Sequence, residues 1–220
     1  MKADGRACRA PQIDPLRLNG LTAGDPAELA RNADLESVRY ADLILPELVL
    51  AGAKLDGVHF AGLVADETDL KGARLSEVHL EQANLPVVRA ARTQWRDVQV
   101  TGRLGSLEAY EAQWRSVHFI GCKLSFVNLR GAELIDVAFT DCIIDELDLA
   151  GAVSTRVRLS QTRVSHLNVR QAKLRDVDLR GATLEVIEGL TDLRGATISQ
   201  LQLSLLAPLF ADELGLNVED

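Results

Sequence analysis

The chain reads as an all-β solenoid, and three observations carry that reading. From Ala33 onward an apolar residue returns every five positions, a smaller apolar residue lies two before each of these centres, and like residues recur at intervals of 20. A helix would repeat every 3.6 residues and a half-buried strand every two, so two inward residues in five fit neither. A longer fixed period marks stacked units, each of which buries its apolar face only against its neighbours. The chain has 220 residues, 47% of them apolar, but only five Phe, two Tyr, two Trp and one Met. The core is therefore aliphatic, and the chain is long enough for one sizeable domain or two small ones.

Residues 1–32 form an N-terminal segment and cap. A solenoid exposes unpaired backbone and an apolar cross-section at each end, and both need covering. Leu16, Leu18 and Leu21 precede Asp25-Pro26-Ala27-Glu28. Asp25 suits a helix N-cap, Pro26 the first helical position and Glu28 the return half of a capping box, with the short helix ending near Asn32. The opening MKADGRACRAPQID lacks the apolar stretch of a secretory signal, and no run approaches the 18 or more apolar residues of a membrane span. A cytoplasmic protein without membrane contact is the expectation.

Residues 33–199 are the repeat. The centres run Leu35, Tyr40, Leu45, Leu50, Leu55, Phe60 and so on to Val100, resume one residue early at Leu104, and continue every five to Leu184. Ala65, Ala90, Ala109 and Ser154 are the exceptions to large apolar centres. Segments such as Ala33-Asp34-Leu35 and Ala83-Asn84-Leu85 match the consensus A-(D/N)-L-x-x, and on this basis the chain resembles the pentapeptide-repeat family. The resemblance implies a right-handed quadrilateral β-helix of about eight coils with short helical N- and C-terminal caps, each coil made of four pentapeptides.

A period of 20 should then lie above the period of five, and it does. One column of small positions reads Ala33, Ala53, Ala73, Thr93, Ala112, Ala132, Ala152, Ala172, and the next is valine throughout from Val38 to Val177. These columns hold only if one residue is lost between Val100 and Leu104, so residues 101–103 are a tightened corner and not an inserted loop. Coils spaced at about 4.8 Å stack like side chains in ladders. Trp95 beside Trp114, and Phe119 beside Phe139, form an aromatic band in mid-rod.

Residues 200–220 form a C-terminal helical cap. The stretch from Ser199 to Ala207 reads as a helix or a last irregular coil, and Pro208 as the start of a second helix through Leu214, stopped at Gly215. Leu203, Leu206, Leu209, Phe210, Leu214 and Leu216 are more apolar than a cap requires. Members of the family commonly dimerise through this end, so a homodimer with these six residues at its interface is expected.

Few features point to chemistry. No phosphate-binding loop, nucleophile elbow or H-E-x-x-H occurs in the sequence, and a period of five rather than six argues against a hexapeptide acyltransferase. No catalytic residue, cofactor or metal site is assigned, and the protein is read as a non-enzyme. Cys122 and Cys142 lie 20 apart on one inward column and read as free core thiols, while Cys8 lies outside the repeat. His59, His79 and His118 precede centres on the valine side, with Gln99 filling the gap. A stacked imidazole column can bind a metal or sense pH, although an outward polar ladder is the commoner reading.

The net charge of −8, from 24 basic and 32 acidic residues, excludes a generic nucleic-acid binder, which needs a basic field for phosphates. Of the four sides only the third is clearly acidic, through Glu47, Asp66, Glu67, Asp145, Glu146 and Glu185. The tail adds Asp212, Glu213, Glu219 and Asp220 without a basic residue. The family resemblance implies mimicry of duplex DNA, with DNA gyrase or topoisomerase IV as partner and protection from topoisomerase poisons as the outcome. On that reading the six third-side acids and the acidic C-terminal tail make the contact. The alternative is an interaction scaffold with another protein partner and no effect on a topoisomerase.

Overall fold

The computed structural model describes residues 7–219; the opening six residues and Asp220, the last acid of the tail, lie outside them. Among the described residues thirteen parallel strands wind into one four-sided β-solenoid of about nine turns, closed at its far end by a single helix. Four pentapeptides make a turn, so turn one is residues 33–52, turn two residues 53–72 and turn three residues 73–92. The count exceeds eight because short strands at both ends add partial turns. Thr22–Ala23 pairs with Val38 and Arg39, and Ala196–Thr197 with Val177 and Asp178.

The corners explain why five residues make a side. In turn one Ser37 and Asp42 adopt φ of 54° and 52° and Gly52 adopts 72°, and the equivalent residues of turn two are Gly57, Gly62 and Gly72. Three corners per turn in turns one to seven thus use the left-handed region, which is where glycine and short polar residues collect. The fourth corner, at Glu47, Glu67 and Glu146, does not. Between corners the backbone is extended and bonds to the turns on either side, as in the 2.8 Å bond from Val64 N–H to Leu43 O.

Register follows the predicted columns. Leu35 lies against Leu55, Val38 against Val58 and Tyr40 against Phe60. After the tightened corner Trp95 lies against Trp114 and Val98 against Val117. The missing residue is absorbed where Leu80 pairs with Val100 but Ala83 with Gly102. Gly102 there has φ of 113°, and a Cβ on it would collide with the Ala83 backbone, so only glycine fits.

The interior is a continuous apolar column. Trp95 and Trp114 stack at 4.7 Å, Phe119 and Phe139 at 4.9 Å, and Tyr40 and Phe60 at 5.2 Å. Each large side chain buried this way contributes roughly 1.5–3 kcal/mol. Cys122 and Cys142 are buried free thiols, and the neighbouring Cys142 thiol together with burial pushes the Cys122 thiol up.

Both ends depart from the sequence reading in detail. Asp25 does cap a helical turn, accepting from Ala27 N–H at 2.9 Å, but that turn is a 3-10 helix of only Pro26–Glu28. The described residues upstream of it, from residue 7, form a strap along the rod. Arg9 binds Asp176 of turn eight through its backbone N–H and its guanidinium, the shortest contact being 2.6 Å. Gln12 N–H donates to Asp136 of turn six at 2.8 Å, and Thr22 Oγ1 reaches Ser37 O of turn one at 3.4 Å. Those three sites lie on one corner column. An extended chain advances about 3.3 Å per residue, so the step from Arg9 to Gln12 matches two turns of about 4.8 Å.

At the other end there is one helix, α1, Gln200–Glu213. Ser199 and Gln202 form a reciprocal capping box at its start. Pro208 sits inside it and does not start a second helix. The carbonyl it leaves unbonded is that of Ser204, which like Pro208 faces solvent and can bond water, so the interruption is tolerated. Gln202 Nε2 donates to Leu179 O and Ala182 O at 2.6 and 2.7 Å, and Leu206 is buried beside it. The helix thereby satisfies last-turn carbonyls that would otherwise form an open sheet end. Among the described residues no helix is long and apolar enough to cross a membrane.

Candidate partner-binding surfaces

Each side of the solenoid displays the residues one before and one after its centres as two parallel columns. On the first side these are Asp34, Lys54, Arg74, Gln94, Gln113 and Glu133, facing Asp56, Ser76, Arg96, Arg115 and Ile135. They wall an open groove of about 580 Å³ over the buried Leu55, Leu75, Trp95 and Trp114. The charges are mixed and partly paired along the column, with Lys54 at 3.3 Å from Asp34. This side offers no single-sign field.

The second side is partly covered. Lys54, Arg74 and Gln94 of the first side are exposed, whereas His59, His79, Gln99 and His118 at the equivalent second-side position are half-buried and Ala138 is buried. Half-buried Ile13, Leu16, Leu18 and Leu21 of the strap go with this difference. The predicted imidazole column is present, with His59 and His79 stacked at 5.0 Å and 7° between planes. Burial holds His79 below its ordinary value, and the neighbouring His59 adds to this, so its ring is neutral near pH 7. His118 is lowered by burial as well and bonds Thr140 Oγ1 at 2.9 Å.

Glu81 Oε2 reaches His59 Nε2 at 2.9 Å, and the donor atoms of His59, His79 and Glu81 all lie within 4.8 Å of one another. Glu81 was not singled out from the sequence. The signal was available, since residues two apart on a strand share a face, which puts Glu81 beside His79.

The third side carries the six predicted acids, but they do not form one strip. Glu47 and Glu67 are register partners in turns one and two, with Asp66 beside them, and all three are exposed. Asp145 and Glu146 lie in turn six, about 20 Å along the rod. Between the two groups the outward positions include Asn84, Pro86, Val87, Arg103, Ser106, Lys123, Ser125 and Phe126. Arg103 and Lys123 pair in register and give the middle of this side a positive sign. Glu67 is bound by Arg89 at 2.6 Å and Glu185 by Arg163 at 2.7 Å. Among the described residues, Glu47, Asp66, Asp145 and Glu146 have no ion-pair partner.

The six leucine and phenylalanine positions assigned to a dimer interface divide between two roles. Leu206 is buried, and Leu209 and Phe210 pack on the core, so these three seal the rod. Leu203, Leu214 and Leu216 are exposed. The outer face also carries Leu201 and Leu205, each 69% exposed, and Val218 at 80%, which composition alone did not pick out.

Two family models match the chain. One, described as a pentapeptide repeat region, covers residues 106–188, and the other, described as pentapeptide repeats in eight copies, covers residues 47–85. Together they take in more than half of the sequence. No curated protein matches the chain in sequence. Similar solved structures include HetL, a pentapeptide repeat protein involved in heterocyst differentiation regulation from the cyanobacterium Nostoc sp. strain PCC 7120. It is 20% identical, with a TM-score of 0.35, over 77% of this chain and 91% of that one. QnrB1, described as a plasmid-mediated fluoroquinolone resistance protein, is similar at 14% identity and a TM-score of 0.24, over 86% of this chain and 93% of its own.

Proposed function

This chain belongs to the pentapeptide-repeat family, and from that premise we propose that it is a rigid, non-catalytic rod that binds another protein through its third side. The observation that carries the reading is the pair of carboxylate groups held by rigid strands at a fixed separation, Glu47 with Asp66 and Asp145 with Glu146, none of them paired among the described residues. Glu47, Asp66 and Asp145 are exposed and Glu146 is half-buried. Surface charges without an internal partner are available to one outside, and they set encounter rate and register more than raw affinity. A homodimer through the outer face of α1 and a cytoplasmic location belong to the same proposal.

The partner on this reading is a type II topoisomerase, DNA gyrase or topoisomerase IV, with the acidic rod occupying basic surface that otherwise holds duplex DNA. The net charge of −8 supports it. A supercoiling assay titrated with the purified protein, with and without a quinolone, tests it. Inhibition, or rescue of the poisoned enzyme, at low micromolar protein is expected, and it should weaken as salt screens the opposed charges. The double substitution Asp145→Lys and Glu146→Lys should abolish the effect and leave the circular dichroism spectrum intact. The positive middle formed by Arg103 and Lys123 favours a second reading, a scaffold for a partner of mixed charge. No effect in either arm of the assay, with enzyme from the same source, would leave that reading standing.

A further inference from the structure

We propose that His59, His79 and Glu81 form a binding site for a divalent cation of the zinc class, clipping turn two of the solenoid to turn three. Two imidazoles and one carboxylate are the donor set that Zn²⁺ and its neighbours prefer over Mg²⁺ or Ca²⁺. The fold supplies the arrangement at no extra cost. His59 and His79 are register partners on parallel strands, and their rings are stacked at 5.0 Å with 7° between planes. Glu81, two residues after His79 on the same face, crosses back to His59 at 2.9 Å.

All three donor atoms lie within 4.8 Å of one another. Metal–ligand distances of about 2.0–2.2 Å require donor atoms somewhat closer than that. Side-chain rotation supplies the difference, since the backbone positions already fit. Among the described residues His79 Nε2 otherwise meets only the Gln99 amide, at 3.4 Å, a long contact that a metal would readily displace. His118 does not belong to the site, because Gln99 separates it from His79 and its own Nε2 is engaged by Thr140.

Access and variants are both favourable. The Glu81 side chain is 42% exposed and that of His59 only 16%, so the cluster opens to solvent at one edge while the imidazoles stay shielded. The column also provides its own control. Gln99 occupies the next turn at the position equivalent to His79, so the substitution His79→Gln places there a side chain the ladder already accommodates.

The test is a calorimetric titration of metal-stripped, full-length protein with ZnCl₂. One Zn²⁺ per chain at micromolar or tighter Kd is expected, accompanied by a rise in Tm because the metal binds only the folded register. His79→Gln and Glu81→Gln should each weaken binding roughly tenfold or more without changing the circular dichroism spectrum. Cys8→Ser should leave binding unchanged. Failure of the wild-type protein to bind below millimolar Zn²⁺ would overturn the proposal. So would undiminished binding in the double variant of His59→Gln and His79→Gln, or loss of binding in Cys8→Ser.

Discussion

Ser154 shows how strongly the interior is specified. It occupies a centre position between Leu134 and Leu174 in the stacked column, is fully buried, and its hydroxyl has no protein partner among the described residues. A buried hydroxyl without a hydrogen bond costs about 1–3 kcal/mol. Ser154→Ala removes that cost with almost no change in volume, so thermal unfolding should show a stability gain of about 1 kcal/mol. The neighbouring Leu134 is also fully buried. Leu134→Asp places an unpaired carboxylate in an apolar column, and the loss should exceed the 2–5 kcal/mol typical of Leu→Ala. Each turn contacts only its neighbours, so hydrogen exchange should report the damage first in turns five to seven.

At the scale of elements, the strap is the feature composition did not reveal. Its sequence carries scattered leucines and no period, and two of its anchors reach residues more than a hundred positions away, Arg9 to Asp176 and Gln12 to Asp136. Local sequence signals carry no information about such pairings, whereas the register of the repeat is written in every turn. The same reasoning separates what was legible at α1. Ser199 and Gln202 form a local cap readable from spacing, but which leucines seal the rod depends on how the helix lies across its end. Glu81 falls between these cases, being placed by strand alternation yet meaningful only through its reach to His59.

The strap's anchors also give it a pH dependence. Hydrogen bonds from Arg9 hold the Asp176 carboxyl below its ordinary value. At Asp136 burial acts in the opposite direction, but bonds from Arg156 and Gln12 N–H outweigh it and the carboxyl is lowered too. Groups with folded values below their unfolded ones stabilise above the unfolded value, about 3.9 for Asp, and lose that contribution as pH falls through the folded value. The strap should therefore stay docked from neutrality down to about pH 4 and loosen below it. Amide protection factors for residues 9–21, measured across that range, should fall before those of turns five and six. Asp176→Asn should produce the same loosening at pH 7, seen as several-fold faster tryptic cleavage after Arg17.

For the whole molecule the open question is whether the rod works singly or in pairs, and the distribution of leucines on α1 decides what to measure. Leu206, Leu209 and Phe210 are committed to the core, leaving Leu201, Leu203, Leu205, Leu214, Leu216 and Val218 outside on one short segment. Contiguous apolar surface of this kind marks an interaction site, and a twofold axis lets one patch cover itself. Nine turns at about 4.8 Å make a rod of roughly 43 Å, so end-to-end pairing gives a particle near 90 Å with acid groups repeated on both arms. Light scattering coupled to size exclusion should then give twice the mass of a single 23.9 kDa chain. Leu201→Glu with Leu205→Glu should reduce it to one chain while leaving Tm close to wild type, because neither residue supports the rod. Leu206→Glu should instead lower Tm by opening the capped end. A wild-type monomer, with Tm likewise insensitive to the first pair, would free that patch from self-association and make it part of the surface offered to the partner.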